Sequence, residues 1–182
     1  MNDQSKKVVF LDRDGPINVD KGFVYRQEDW EWSAGVFDAL QILQEAGFTL
    51  TIITNQTAIA AGKYTVEDMQ NLHEYMLGEF EERGINIAAI AFCPHLRGSD
   101  CECQKPRVGM AKQIEKEIGP IDFPGSWVVG DKKADLEFGK NIGSSVALMR
   151  STYWQEGDLS QQPEVVVDSL LDAALYITKA AG

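Results

Sequence analysis

The chain has 182 residues, 44% hydrophobic and 25% charged, a globular composition that excludes collagen-like, coiled-coil and disordered classes. That length predicts a single domain over residues 1–182, large enough to fold without staples. Seventeen Lys and Arg against 28 Asp and Glu give a net charge of −11, so generic binding to nucleic acids or anionic membranes is disfavoured.

The first seven residues lack the apolar core of an export signal, and no apolar run approaches the length of a membrane span, so a reduced cytoplasmic protein without a membrane partner is expected. Val8-Val9-Phe10-Leu11 predicts a first buried strand that ends at Asp12. Residues 36–46 show helical spacing at Val36, Phe37, Leu40 and Leu43, with Gly47 as the stop. Leu50-Thr51-Ile52-Ile53 predicts a second strand running into Thr54-Asn55-Gln56. Thr65, with Asp68 three residues on, predicts the cap of a helix that ends near Gly84 and carries His73 as a solvated residue. A third strand is expected over residues 87–92, then a helix over 108–118 and a fourth strand over 127–129 ending at Gly130-Asp131. A helix over 134–141, short strands over 146–148 and 165–167, and a terminal helix over 170–180 complete the chain, with Trp30, Trp32 and Trp127 as packing groups. Apolar strands alternating with helices predict an α/β fold, a Rossmann-like parallel sheet with helices on both faces. Such sheets bind ligands beyond the carboxyl ends of their strands, so function should lie in the residues just after each strand.

After the first strand comes Asp12-Arg13-Asp14-Gly15, two carboxylates able to reach one pocket across a sharp turn. Such a pair holds a hard divalent cation, or divides the roles of nucleophile and general acid/base, although an acidic turn in an acidic protein looks the same. Thr54-Asn55-Gln56 offers uncharged hydrogen-bonding groups suited to a phosphoryl oxygen. Lys105-Pro106 stands before a helix and offers a point charge for a phosphate. Asp131 can complete an oxygen-rich metal site with Asp12 and the main chain near Asp14, while Asp135 acts from behind it or merely caps a helix. Each signal is weak singly; their order, one at each of several strand exits, is not.

All three cysteines lie between positions 93 and 103, with His95 among them. The spacing Cys93-x-His95, then Cys101-x-Cys103, gives the Cys₃His set of a closed structural zinc site, one that shapes a loop and performs no chemistry. A disulfide would leave one cysteine over, and free thiols are the remaining reading.

With these residues in order the chain resembles the haloacid dehalogenase superfamily of phosphotransferases, whose four motifs match Asp12-Arg13-Asp14-Gly15, Thr54-Asn55-Gln56, Lys105-Pro106 and Gly130-Asp131 over about residues 8–148. The resemblance implies a fold without a large cap domain, in which residues 19–32 and the zinc loop screen the cleft. It implies Asp12 as nucleophile, Asp14 as general acid/base, Thr54 and Lys105 as stabilisers of the transferring oxygens, and Mg²⁺ held by Asp12, Asp131 and the Asp14 carbonyl. Asp20, Lys21, Gly22, Phe23, Asn55, Gln56, Thr57, Gln104 and Lys132 match positions that contact substrate. The cysteine motif narrows the resemblance to the zinc-bearing branch of heptose-bisphosphate and histidinol-phosphate phosphatases. Residues 12–24, Gly62-Lys63-Tyr64 and residues 105–110 are more similar to the heptose enzymes; the compact cysteine loop is closer in length to the histidinol enzymes.

Three positions depart from that branch: Pro16 replaces Thr, Ala61 replaces the arginine of a Gly-Ile-Ala-Arg-Gly stretch, and Gln104 replaces the arginine before the motif lysine. These spare the reacting groups and fall on the part that grips substrate. The implied substrate is a small-molecule phosphate ester, and a monomer is expected. A signalling receiver would carry its acceptor Asp after the third strand, where Cys93 stands. An inactive binding module would lack Asp12, Asp14 or Lys105, and a polynucleotide 3′-phosphatase would show a basic strand-binding face.

Overall fold

The computed structural model describes residues 5–181. Its strands are β1 (Val8–Leu11), β2 (Thr49–Asn55), β3 (Ile87–Cys93), β4 (Trp127–Gly130), β5 (Ser145–Met149) and β6 (Val165–Val167). The helices are α1 (Val36–Glu45), α2 (Thr57–Ala60), α3 (Val66–Glu81), α4 (Gly109–Ile118), α5 (Lys133–Ile142) and α6 (Leu170–Ala181). All strand pairs are parallel, in the order β3-β2-β1-β4-β5-β6.

The two-residue period of a strand explains why β1 is apolar throughout. Val8 and Phe10 point to one face, where they pack with Met110 and Ile114 of α4 and with Leu136 and Phe138 of α5. Val9 and Leu11 point to the other, against Leu40 and Leu43 of α1, Phe80 of α3 and Ile177 of α6. Every side chain of β1 is therefore buried. From β1 the chain builds outward through β2 and β3, then returns to β4 on β1's other side. That reversal opens a crevice at the carboxyl ends of β1 and β4, where a ligand fits.

The expected elements are all present, with shifted ends. β2 runs on to Asn55, and β3 includes Cys93, so the first thiol of the cysteine cluster belongs to the sheet. Thr65 and Asp68 form the expected reciprocal cap of α3. His73 departs from expectation: it is 7% exposed, on the buried stripe of α3 with Met69, Leu72, Met76 and Phe80. The tryptophans pack as expected, Trp30 edge-on to Trp32 and Trp32 against Phe37 and Phe80. No helix among the described residues is long and apolar enough to cross a membrane.

Candidate active site

Asp12 sits one residue past β1, its backbone N–H donating to Val129 O at 2.9 Å. Its Oδ1 lies 3.0 Å from Lys105 Nζ, which also donates to Asp135 Oδ1 at 2.6 Å and to Ile53 O at 3.2 Å. Lys105 is buried, and the two carboxylates outweigh the burial and keep its pKa above the ordinary lysine value. Asn55 clamps its main chain from both sides, accepting from Lys105 N at 3.0 Å and donating to Lys105 O at 3.2 Å.

Asp131, after β4, approaches so closely that a Cβ on Gly15 would stand 2.6 Å from its Cγ; Gly15 also has φ +111°. Any side chain there would be strained and would push the Asp131 carboxylate out of place. Burial raises the Asp12 carboxyl to about 6 and Asp131 to about 7; Lys105 and Lys132, respectively, oppose the rise, and neighbouring carboxylates add to it. Carboxylate oxygens of Asp12, Asp131 and Asp135 lie within 4.8 Å of one another.

This donor set fits a hard cation. Asp131 Oδ1 is buried with no well-directed hydrogen bond, only an ion-pair contact. The Lys132 ammonium reaches over the same oxygens, 3.3 Å from Asp131 Oδ1, 3.4 Å from Asp14 O and 3.8 Å from Asp12 Oδ2. Asp12, Asp131 and the Asp14 carbonyl are the groups expected to hold Mg²⁺, and all three converge on this one ammonium. Asp135 is engaged by Lys105 and by Lys132 N, so it braces the site and also caps α5.

Asp14 points elsewhere. Arg13 Nη2 donates to both its oxygens at 2.9 and 3.0 Å, Asn18 adds a bond at 3.0 Å, and Gln56 Nε2 one at 2.9 Å. Burial works to raise its pKa, but the Arg13 guanidinium and these hydrogen bonds outweigh it and hold Asp14 below the usual carboxylate range. Gln56 Nε2 also donates to Thr54 Oγ1 at 2.8 Å, and Tyr64 O–H donates to Gln56 Oε1. Arg13 itself is 1% exposed, with Nη1 3.3 Å from His73 Nε2. Sequence reasoning misses Arg13, Asn18, Tyr64 and His73 as site residues; Arg13 lies inside the first motif and His73 keeps the apolar spacing of α3, which are the available signals.

Asp12, Asp14, Gln56, Tyr64, Lys105 and Asp135 form the floor of a cleft of about 660 Å³. Asp20, Gly22, Phe23, Asn55, Gln56, Thr57, Gln104 and Lys132 line it. Lys21 does not; its ammonium pairs with Glu31 at 2.8 Å. Thr54 is buried beneath the floor, bonded to Gln56. Tyr153 and Arg97 line the cleft too, and no sequence motif marks them. Tyr153 O–H donates to Asp20 Oδ2 at 2.9 Å, as does Lys132 Nζ at 3.1 Å.

Across the cleft, Cys93 Sγ lies 3.5 Å from His95 Nδ1 and 3.7 Å from Cys101 Sγ, and His95 Nδ1 lies 3.2 Å from Cys103 Sγ. All four ligand atoms fall within 4.8 Å of one another. A tetrahedron with Zn–S of about 2.3 Å and Zn–N of about 2.0 Å has edges of roughly 3.5–3.8 Å, so the cluster fits zinc. Gln104 holds the loop from inside: Nε2 donates to His95 O at 3.3 Å and Leu96 O at 3.1 Å, and Gly98 N donates to Oε1 at 3.0 Å. Its amide is spent on the loop, although the residue also borders the cleft.

A parallel sheet with an acid pair after β1, a buried Thr after β2, a lysine before α4 and an aspartate after β4 defines a phosphotransferase of the haloacid dehalogenase type. A family profile described as "Polynucleotide kinase 3 phosphatase" matches residues 7–146. The chain is 39% identical to the D-glycero-alpha-D-manno-heptose-1,7-bisphosphate 7-phosphatase of Campylobacter jejuni, covering 86% of this chain and 89% of the relative. It is 38% identical to the D-glycero-beta-D-manno-heptose-1,7-bisphosphate 7-phosphatase of Yersinia pestis, over 97% of this chain and 96% of the relative. Among solved structures, the D,D-heptose 1,7-bisphosphate phosphatase of B. bronchiseptica, complexed with magnesium and phosphate, matches with a TM-score of 0.86 at 28% identity, over 96% of this chain and 99% of that one. The chain belongs to the family of that profile, within the haloacid dehalogenase superfamily.

Proposed function

We propose that this protein, acting as one domain, is a Mg²⁺-dependent phosphatase that hydrolyses D-glycero-D-manno-heptose 1,7-bisphosphate to the 1-phosphate through an aspartyl phosphate on Asp12. The observation that carries the reading is Asp12 itself, a buried carboxylate at a strand end with Lys105 Nζ 3.0 Å from one oxygen and an oxygen-rich cation site at the other. Asp12, Asp131 and the Asp14 carbonyl would hold Mg²⁺, which supplies the positive charge that lets a carboxylate approach a phosphate.

Asp12 attacks phosphorus in line; the phosphorus–oxygen bond to the sugar breaks as Asp14 protonates the departing oxygen. Asp14 then takes a proton from the water that attacks the phosphoryl group, returning Asp12 and releasing inorganic phosphate. Clamped by Arg13, Asp14 rests as the carboxylate, ready for the second step. An arriving phosphate brings negative charge, raises its pKa and favours the protonated form that the first step needs. Lys105 and Lys132 stabilise charge on the transferring oxygens. Thr54 acts through Gln56 or by its main chain. Cys93, His95, Cys101 and Cys103 would hold a structural Zn²⁺, which would fix the opposite wall.

The family description names a polynucleotide phosphatase, whereas the net charge of −11 and a rim carrying Asp20 and Glu137 support a small ester. A kinetic panel at fixed Mg²⁺ tests the reading with both anomers of the heptose bisphosphate, histidinol phosphate and a 3′-phosphorylated oligonucleotide. The highest kcat/KM is expected for a heptose bisphosphate. A higher value for the oligonucleotide or for histidinol phosphate would replace this substrate.

A further inference from the structure

Four cations line the cleft: Arg97, Lys105, Lys132 and Lys133. Three are committed. Lys105 pairs with Asp12 and Asp135, Lys132 with Asp12, Asp20 and Asp131, and Lys133 with Asp158 at 3.6 Å. Among the described residues, Arg97 alone of these has no carboxylate within 4.0 Å. Arg107, a neighbouring candidate, donates to Ser99 O at 2.6 Å and to Cys101 O, so it ties the loop together. Gln104 is neutral, and its amide is fully used on the main chain of His95, Leu96 and Gly98. Those three residues flank Arg97. The buried amide and the cysteine cluster therefore fix the main chain of Arg97 at the cleft wall while its guanidinium stays free.

We propose that Arg97 binds the second anionic group of the substrate, the phosphate that is not hydrolysed, and so sets the preference for a bisphosphate over a monophosphate. This rests on the phosphatase reading above. The phosphates of a 1,7-bisphosphate lie at opposite ends of a seven-carbon chain. With one phosphate at Asp12 on the floor, the other must meet the wall or rim, where an unpaired planar fork matches it in charge and shape. Gln104, next to Lys105, offers no charge of its own and instead braces the loop that carries Arg97 seven residues back.

The test compares wild type, Arg97→Ala and Arg97→Lys on heptose 1,7-bisphosphate and heptose 7-phosphate at fixed Mg²⁺. Arg97→Ala should lower kcat/KM for the bisphosphate about 10- to 150-fold, mainly through KM, and lower it far less for the 7-phosphate. Arg97→Lys should recover part of the loss, since it keeps the charge but not the fork. Equal losses on both substrates, or none on either, would overturn the proposal. Zinc content and thermal midpoint, measured alongside, should match wild type; a fall in zinc content with equal losses assigns Arg97 to the loop alone. Calorimetric binding of heptose 1-phosphate gives a readout independent of turnover. Wild type should bind it and Arg97→Ala should not. If wild type hydrolyses neither ester, the phosphatase reading falls, while the binding comparison still decides Arg97.

Discussion

At the ends of β1 and β4, Asp12 and Asp131 are 4% and 5% exposed, placed by the sheet ladder and by the close turn at Gly15. Across the cleft, only Cys93 stands on a strand; His95, Cys101 and Cys103 sit on irregular chain held by Gln104 and Arg107. The oxygen centre is built on the sheet, and Lys132 reaches over its carboxylates. The sulfur centre has little regular structure of its own. A cation in the first region should change chemistry and leave shape; a cation in the second should change shape and leave chemistry.

The sharpest way to break that contrast is Asp12→Asn. Asparagine keeps the size of the side chain, and Lys105 retains Asp135 at 2.6 Å, so the fold should survive. An amide cannot form the acyl phosphate, and turnover should fall by at least about 10⁴-fold. The thermal midpoint should stay near wild type, because the change removes a buried charge that burial already opposes. Near-normal kcat on a sugar phosphate would remove Asp12 as nucleophile, and collapse of the fold would mean that this centre is not preformed.

A smaller effect should come from the other region. Protein prepared without chelators should contain about one zinc per chain by elemental analysis. Cys101→Ser should raise KM by about 10- to 100-fold, with a smaller change in kcat, because the cleft wall that carries Arg97 loosens while the aspartates keep their places. Removing Mg²⁺ should do the reverse, depressing kcat to near zero. Zinc-free native protein, or full activity on zinc alone, would dissolve the division between the two centres.

How far each region is legible in the sequence obeys the same contrast. Asp12, Lys105 and Asp131 can be found because a parallel sheet presents the residues at its strand exits, and the cysteine–histidine cluster because its spacing is itself the signal. The hidden part depends on partners far apart in the chain. Arg13 turns inward to His73, and Asp20 meets Tyr153, contacts that no local pattern encodes. The motif around Lys21 places it at the cleft, yet an exposed glutamate within reach captures its ammonium. Gln104 borders the cleft, but its amide satisfies loop carbonyls and an N–H that would otherwise lack partners. His73 departs from expectation for a different reason: residues 69, 72, 73, 76 and 80 form one helical stripe, and a histidine on such a stripe is buried by its neighbours.

That histidine yields the smallest expected effect, one that vanishes near neutral pH. Burial, helped by the Arg13 guanidinium, pushes the His73 imidazole down to about 3 from an ordinary 6.5. The folded protein thus keeps it neutral while the unfolded chain takes up a proton below about pH 6.5. More protons bind to the unfolded state, so the contribution is complete above pH 6.5 and is lost as pH falls toward 3, at about 1.4 kcal/mol per pH unit. Asp12 and Asp131, whose pKa values are raised, titrate in the upper part of that window with the opposite sign, so the absolute pH profile mixes the effects. His73→Gln separates them. Glutamine does not titrate and still offers an oxygen to Arg13, and the carboxylates are common to both proteins. The difference in unfolding free energy, variant minus wild type, should therefore grow by about 2 kcal/mol between pH 7 and pH 5 in denaturant titrations with Mg²⁺ present. Parallel profiles over that range would mean that His73 titrates in the folded protein, and that the pocket behind Arg13 is open to protons.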